Sequence, residues 1–276
     1  MTDKVRIAAV QIDPKIGANA ENLDKILRFA RTAAAGGAHL IVFPECALCG
    51  YMFTSRAEVL PFAETVPGPA TEAVAGFCRE TGSHVVFGLL EKDGQKYYNS
   101  SALIGPQGLI GCYRKAHLVY LGADRFLDKG DRPYRIYQTP VGNLGLLICY
   151  DINFPEAARS MALQGADILI LPTNWPQGRA KVPRYVIVTR AYENKVNLVA
   201  ADRVGEERGA RFLGTSRILN CWGDPLAEAG TTAEEIIYGE VSLSEARQKH
   251  VVLVPGEFEY DFIGDRRPEL YGKLGQ

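Results

Sequence analysis

The stretch GLLICYDINFPEAARSMA, residues 145–162, joins an apolar run directly to a helical pattern. The run Gly145–Cys149 has the length and apolar character of a buried strand. After it, apolar residues recur at intervals of three and four, on one face of a helix: Phe154, Ala157, Ala158, Met161 and Ala162. Because a strand that leads straight into a helix is a unit of α/β proteins, we predict an α/β fold.

Cys149 lies at the turn between this predicted strand and helix. Asn153 is expected to cap the helix, with Glu156 completing a capping-box pair and Pro155 in the first turn. A cysteine at a helix N-terminus meets the positive end of the helix dipole, which lowers its pKa from roughly 8.5. Such a turn also presents backbone N–H groups to an oxyanion. Cysteine is also a small buried hydrophobe in many cores, so a purely structural role is the alternative.

Comparable patterns continue along the chain. A second helical face carries apolar residues at the same intervals: Leu23, Ile26, Leu27, Ala30 and Ala34. Alternating or apolar runs predict further strands at Val5–Val10, Leu40–Phe43, Val85–Leu90, Tyr98–Ile104, Ile168–Leu171, Leu198–Ala201 and Ile236–Val241. Turn signals at Asp93-Gly94 and Pro106–Gly108 predict hairpins, so we expect a mixed sheet. No repeat or linker interrupts the pattern, which predicts one domain, residues 1–276, with a C-terminal tail after about residue 255.

The composition narrows the class of protein. A chain of 276 residues with 47% hydrophobic and 23% charged residues has enough apolar material for one large domain. Its 31 basic and 32 acidic residues leave a net charge of −1, which predicts neither a nucleic-acid nor a membrane partner. No export signal or membrane span is apparent, so we expect a soluble, cytoplasmic protein whose six cysteines are free thiols.

Two other predicted strands end in charged residues. Glu45 follows the run Leu40–Phe43 and a proline, which places its carboxylate at a strand end, where α/β proteins build their sites. The segment Gly111–Leu118 ends a strand with Arg114 and Lys115. Adjacent strand residues point to opposite faces, so one would face a site and the other solvent. Ordinary solvated charges are the alternative at both places.

Together these segments resemble the nitrilase superfamily of carbon–nitrogen hydrolases, whose members carry a Glu, a Lys and a Cys at three such strand ends. The resemblance spans nearly the whole chain and includes Ile7–Gln11, Phe43–Glu45, Tyr113–Leu118, Ile148–Asp151, Phe154–Arg159, Gly165–Asp167, Pro172–Trp175 and Arg190–Asn194. It implies an α-β-β-α sandwich. It also implies a homo-oligomer, at least a dimer, formed through helices near Cys149 and through the C-terminal tail.

The resemblance further implies a role for each charged or nucleophilic residue. Cys149 would be the nucleophile that forms a thioester, and Glu45 the base that takes the thiol proton and passes it to the departing amine. Lys115 and the backbone N–H of Tyr150 would stabilise the oxyanion. The implied reaction is the hydrolysis of a small-molecule amide, with no cofactor.

Substrate contacts are also carried over from the resemblance. Many family members have a second glutamate shortly after the lysine segment, whereas this chain has Asp124 near that place, as a shorter substitute or in a rebuilt loop. Four further residues are expected to contact the substrate: Tyr51, Tyr120, Asn174 and Trp175. Ordinary aromatic packing is the alternative for these positions.

Metal chemistry is not predicted. Cys46 and Cys49 form a C-x-x-C motif, but Pro44 and Gly50 indicate a loop around it, and no second pair completes a zinc site. The four histidines lack ligand spacing. We therefore expect no metal.

The residues beside Cys149 bear on the substrate. Tyr150 and Asp151 replace the Trp-Glu that follows the cysteine in members acting on nitriles, and look more like the amidase branches. No arginine stands at Ile152 or Asn153, where relatives that cleave N-carbamoyl amino acids often pair one with the substrate carboxylate. These features favour an amide, with an N-carbamoyl amine or a nitrile as the alternative. A non-catalytic scaffold and acyl transfer to an amine are two further classes, disfavoured by the intact triad and by the absence of membrane or synthetase domains.

Overall fold

The computed structural model describes residues 3–275. Within them lie sixteen β-strands, namely β1 Lys4–Gln11, β2 Leu40–Val42, β3 His84–Asp93, β4 Lys96–Gly105, β5 Gly108–Arg114, β6 Ile136–Thr139, β7 Gly142–Leu146, β8 Ile168–Pro172, β9 Asn197–Ala201, β10 Glu206–Glu207, β11 Ala210–Arg211, β12 Arg217–Leu219, β13 Pro225–Glu228, β14 Glu235–Ser242, β15 His250–Val254 and β16 Phe258–Asp261. The same residues contain six α-helices, namely α1 Asn19–Ala35, α2 Arg56–Val59, α3 Pro69–Thr81, α4 Pro155–Leu163, α5 Ile187–Asn194 and α6 Leu243–Arg247.

Two six-stranded mixed sheets form the centre of the fold. Their strand orders are β14-β1-β2-β3-β4-β5 and β13-β12-β9-β8-β7-β6. In each sheet three neighbouring strands are parallel, β1 to β3 in the first and β7 to β9 in the second. Helices α1 and α3 pack on the first sheet, and α4 and α5 pack on the second. The predicted α-β-β-α sandwich with mixed sheets is confirmed.

The side chains of β1 show why its run Ile7–Val10 is apolar at every position. Val5, Ile7 and Ala9 point into the core between the two sheets, whereas Ala8 and Val10 join the core beneath the helices. All five are fully buried. A strand covered on both faces has no solvent side, so its alternation of polar and apolar residues disappears.

The predicted hairpins are present, but the strand that leads to Cys149 ends earlier than predicted. Strand β7 ends at Leu146, and Cys149–Asn153 forms a turn of 3₁₀-helix before α4. The strand prediction Gly145–Cys149 was therefore wrong at its end. A physical reason is that the Asp151 carboxylate accepts the Ile148 N–H at 3.0 Å, which removes a donor that continued strand pairing would use.

The predicted cap of α4 was also wrong. The helix begins at Pro155, as expected, but Phe154 is its N-cap residue and no side chain caps it. Asn153 instead donates its side-chain N–H to the Tyr150 carbonyl at 2.9 Å, within the 3₁₀ turn. The Asn153 side chain therefore stabilises the 3₁₀ turn and does not cap α4.

The C-terminal region contains the β15–β16 hairpin, which straddles the predicted start of the tail. Its apolar side chains are exposed, by 43% at Val252, 55% at Leu253 and 55% at Phe258. Dimerisation through this region stays a prediction. Across residues 3–275, the helices are too short or too polar to cross a membrane.

The segment that carries Glu45 lies directly against strand β3. Gly88 donates its N–H to the Pro44 carbonyl at 3.1 Å, and its own carbonyl accepts the Leu48 N–H at 3.1 Å. A Cβ atom at Gly88 would lie 2.3 Å from the Cys46 nitrogen and 2.6 Å from the Pro44 oxygen. Because both are backbone atoms, relief would require the segment around Glu45 to move.

We therefore expect Gly88→Ala to reduce the free energy of unfolding by about 2 kcal/mol, measured by urea denaturation. Gly76→Ala is the matched control, because a Cβ there meets only the end of the Arg79 side chain, at 3.8 Å. In the interior of helix α3 this change should be neutral or stabilising by up to about 1 kcal/mol. Equal stability of Gly88→Ala and the wild type would contradict the proposed close contact.

Candidate active site

A buried cluster of charge lies where the ends of β2, β4 and β5 meet. Lys115 donates through Nζ to Glu45 Oε1 at 2.7 Å and to Asp124 Oδ2 at 2.6 Å. Asn99 on β4 donates through Nδ2 to the same two carboxylates, at 2.7 Å to Glu45 Oε1 and 2.8 Å to Asp124 Oδ1. Each carboxylate is thus held by one cation and one amide.

The strand register explains how these groups meet. Asn99 and Lys115 are adjacent across the β4–β5 pair, where the Lys115 N–H donates to the Asn99 carbonyl at 2.8 Å. Glu45 follows β2 by three residues, and Asp124 lies in the 3₁₀ turn Gly122–Phe126. Residues distant in sequence are therefore brought to one edge by sheet pairing.

The pKa values in this cluster reflect burial opposed by charge pairing. Burial alone would lower the pKa of Lys115, but the Asp124 and Glu45 carboxylates raise it well above its usual value. Burial raises the pKa of Glu45, while the Lys115 charge acts to lower it. Lys115 is therefore an ammonium, and Glu45 is a stronger base than a solvated glutamate.

Cys149 opens the 3₁₀ turn that follows β7 and is 8% exposed. Its φ of 44° lies in the left-handed region, which non-glycine residues seldom adopt. Burial raises the pKa of its thiol, the Glu45 charge raises it further, and Lys115 lowers it. The expected depression of the thiol pKa was therefore wrong, because removal from water outweighs nearby dipoles and the lysine. The resting group is a thiol.

A pocket of about 90 Å³ opens onto Cys149. It is lined by Tyr51, Val119, Leu121, Cys149, Tyr150, Asn174, Trp175, Pro176 and Arg179. Four of the residues predicted to surround the substrate or oxyanion thus share one pocket with the cysteine: Tyr51, Tyr150, Asn174 and Trp175. Their roles in binding stay predictions.

Tyr120 is placed differently from the other predicted contacts. Its side chain is 88% exposed and packs near Arg125 outside the pocket. The residues on either side, Val119 and Leu121, line the pocket instead. Tyr120 therefore does not line the pocket. Its role as a substrate contact stays a prediction.

The loop after β8 carries unpartnered polar atoms into the pocket. Asn174 is 2% exposed, and neither its side-chain oxygen nor its nitrogen has a hydrogen-bond partner among the described residues. Asp202 anchors this loop, because its Oδ1 accepts the Trp175 N–H at 2.9 Å. A fixed, buried amide without a partner is a feature of sites that bind a polar ligand.

Arg114 contradicts the expectation that one of the two basic residues points to solvent. Its side chain is 3% exposed and pairs with Glu91 at 2.5 Å, Asp93 at 2.6 Å and Asp131 at 3.0 Å. The two faces of β5 are both covered, so both basic residues are buried among carboxylates. Only Lys115 belongs to the cluster with Glu45.

Two residues of the site, Asn99 and Arg179, were not among those predicted from the sequence. Asn99 gave no motif, because its role depends on two carboxylates that reach it from other parts of the chain. Arg179 follows the predicted segment Pro172–Trp175 by only four residues, so its nearness to that segment was a usable signal.

No group of three or more histidine, cysteine, aspartate or glutamate side chains within residues 3–275 is placed to hold a metal ion. The C-x-x-C motif lies in a buried loop, where Cys49 Sγ donates to the Gly50 carbonyl at 3.3 Å and Cys46 remains a free thiol. All six cysteines are free and buried.

The carbon–nitrogen hydrolase family model matches residues 6–250 of this chain. The chain belongs to the carbon–nitrogen hydrolase family. A protein named nitrilase from Pyrococcus abyssi is 40% identical over 268 residues, which cover 97% of this chain and 99% of that protein. The family membership therefore extends over nearly the whole sequence.

Solved structures agree with this family assignment. A carbon–nitrogen hydrolase from Helicobacter pylori superposes with a TM-score of 0.87 at 25% identity, covering 99% of this chain and 98% of that one. A mutant of the amidase from Nesterenkonia sp. AN1 has a TM-score of 0.78 at 26% identity, covering 96% and 95%. That structure shows covalent addition of the acetamide moiety of fluoroacetamide at its active site cysteine.

Asn99 should act as a positioning residue whose loss changes the pH profile. Its hydrogen bond helps to lower the Glu45 pKa, so Asn99→Ala should raise that pKa. Because Glu45 is the expected base, activity should be lost as pH falls through this pKa, and the acid limb of kcat/KM should move to higher pH. We expect a fall of about tenfold in kcat at the optimum.

Asn143→Ala is the matched control, because the Asn143 side chain bonds only the Gly165 carbonyl, at the start of β7 and at the opposite end of that strand from Cys149. It should leave the acid limb unchanged. An Asn99→Ala enzyme whose rate falls without any shift of the acid limb would indicate a merely structural role.

Proposed function

We propose that this protein hydrolyses the carbon–nitrogen bond of a small amide through a thioester on Cys149. The observation that carries the proposal is the state of the Glu45 carboxylate. Oε1 is bound by Lys115 and Asn99, whereas Oε2 is buried and has no partner among the described residues. One oxygen is therefore anchored while the other is free to exchange a proton.

The proposed reaction begins from the neutral thiol. Glu45 takes the Cys149 proton as sulfur attacks the carbonyl carbon, and the carbonyl becomes an oxyanion. Glu45 then returns the proton to the departing nitrogen, so that ammonia or an amine leaves and a thioester remains. Glu45 next removes a proton from water, which attacks the thioester and releases the acid and the thiol. Each proton taken is returned within one cycle.

Lys115 and the backbone N–H of Tyr150 are the proposed oxyanion donors. Lys115 is cationic because two carboxylates raise its pKa, and both the Glu45 and Lys115 charges act on the Cys149 thiol. A donor fixed before the reaction needs no reorganisation when charge develops. Its position is set by Asp124, which we assign to the place of the family's second acid because it bonds Lys115 directly.

The site favours an amide over a nitrile. Attack on an amide produces a negative oxygen, which matches a permanent ammonium in the site. Attack on a nitrile produces a thioimidate whose nitrogen needs a proton, and Lys115 is held in its charged form by Asp124 and Glu45. The covalent acetamide moiety at the cysteine of the Nesterenkonia amidase supports the assignment of Cys149 as a nucleophile.

We expect Cys149→Ala to abolish turnover while the thermal unfolding midpoint stays close to that of the wild type. Glu45→Gln and Lys115→Ala should each lower kcat by at least about 10³-fold. The triple variant should be hardly slower than the slowest single one, because residues that act as a unit are not additive. Losses that multiply independently would contradict a shared mechanism.

Iodoacetamide labelling measured by mass spectrometry provides the control for the nucleophile. The wild type should be alkylated at Cys149 with parallel loss of activity, and Cys149→Ala should lack that label. Residual activity above a few per cent in pure Cys149→Ala would exclude the thioester.

The choice of amide over nitrile is tested with a pair of the same carbon skeleton. We expect kcat/KM for butanamide to exceed that for butanenitrile by at least about 10²-fold, because the oxyanion donors act only on the amide. Ammonia release measures both reactions. A nitrile rate equal to or above the amide rate would place the protein with nitrilases instead.

A further inference from the structure

Arg179 is a cation in the wall of the candidate active-site pocket. It lies in the loop after β8, its side chain is half-buried, and it lines the same pocket as Cys149 and Tyr150. Its guanidinium donates to the Asn153 side-chain oxygen at 2.8 Å. Asn153 is neutral, so this bond orients the guanidinium without cancelling its charge.

The charge of Arg179 has no acidic partner among the described residues. Other arginines near the fold's centre are paired, Arg114 with Glu91 and Arg203 with Glu207. The residues that line the pocket include no aspartate or glutamate. A permanent positive charge therefore faces a pocket whose other walls are mainly apolar.

We propose that Arg179 binds a carboxylate of the substrate, so that the enzyme acts on amides that carry a carboxylate a short chain away from the scissile bond. This assignment rests on the proposed function. The guanidinium fork suits a carboxylate because two parallel N–H donors meet its two oxygens. The monoamides of short dicarboxylic acids have this chemistry, and so do N-carbamoyl amino acids.

The nucleophile and the cation line the same small pocket. Its volume is about 90 Å³, and both Cys149 and Arg179 lie in its wall. A small substrate in this pocket can therefore meet both side chains. Asn174 contributes a second polar contact, because both polar atoms of its buried side chain lack a partner in the described chain.

Arg179 supplies a cation beside Asn153, a position that has no cation of its own. Ile152 and Asn153 carry no cation, and their sequence alone disfavours an N-carbamoyl amino acid. The structure brings Arg179 from a separate loop to the Asn153 side chain. Positive charge is therefore present beside the turn that carries Cys149, supplied from another part of the chain.

The test compares acidic amides with neutral amides of matched skeleton. The first pair is succinic acid monoamide and butanamide, the second is glutaric acid monoamide and pentanamide, and the third is N-carbamoyl-β-alanine and propylurea. In the pair that contains its preferred substrate, the wild type should have a kcat/KM at least about tenfold higher for the acidic member than for the neutral member. The preference should weaken with added salt, because the guanidinium is partly exposed. Comparison across pairs distinguishes monoamides from N-carbamoyl compounds.

Arg179→Met, which keeps the length of the side chain and removes its charge, should lower kcat/KM for the acidic substrate about 10- to 100-fold. Its kcat/KM for the neutral amide should change by less than about threefold. Arg184→Met is the control, since Arg184 is exposed on the same segment and does not line this pocket. It should leave both rates unchanged.

Two results would overturn the assignment. If the wild type prefers the acidic member in none of the three pairs, or if Arg179→Met loses the acidic and neutral rates equally, Arg179 does not select a carboxylate, while the proposed amidase function stands. If no amide of any pair is hydrolysed although Cys149 is alkylated, the proposed function fails and this assignment fails with it.

Discussion

The buried ammonium of Lys115 is the interaction on which the site depends. A charge removed from water costs several kcal/mol unless it is paired and hydrogen-bonded, and here Lys115 donates to two carboxylates that the Asn99 amide bridges. Loss of Lys115 would leave two carboxylates in the interior without a cation. The arrangement therefore keeps Glu45 and Asp124 in place, and their positions determine where β2, β5 and the turn Gly122–Phe126 meet.

Residues outside this cluster bind the backbone of the loops that surround it. Asp202 accepts the Trp175 N–H at 2.9 Å, and Glu207 accepts the Tyr51 N–H at 2.8 Å. Arg203, fully buried, binds Glu207 at 2.8 Å and so connects the second sheet to the loop that carries Tyr51. A pocket built from rigid, backbone-anchored loops keeps its shape without a bound ligand.

The burial of Cys149 and Glu45 determines when the proposed proton transfer takes place. The Cys149 thiol is neutral at rest because burial raises its pKa, and the burial of Glu45 makes that carboxylate a stronger base. The proton therefore moves as sulfur attacks, rather than before the substrate arrives. A thiol that stays protonated until then is also less open to oxidation, which acts on the thiolate.

The α/β architecture, most strands and the positions of Glu45, Lys115 and Cys149 at strand ends could be predicted from the sequence, because apolar runs and their ends are local properties. The sequence did not predict that Asn99 bridges two carboxylates, that Arg114 is buried, that Tyr120 lies outside the pocket or that Arg179 reaches Asn153. Nor did it predict the direction of the Cys149 pKa shift. These points follow from the folded chain, because pKa values, ion pairing and pocket lining depend on desolvation and on contacts between residues far apart in the sequence.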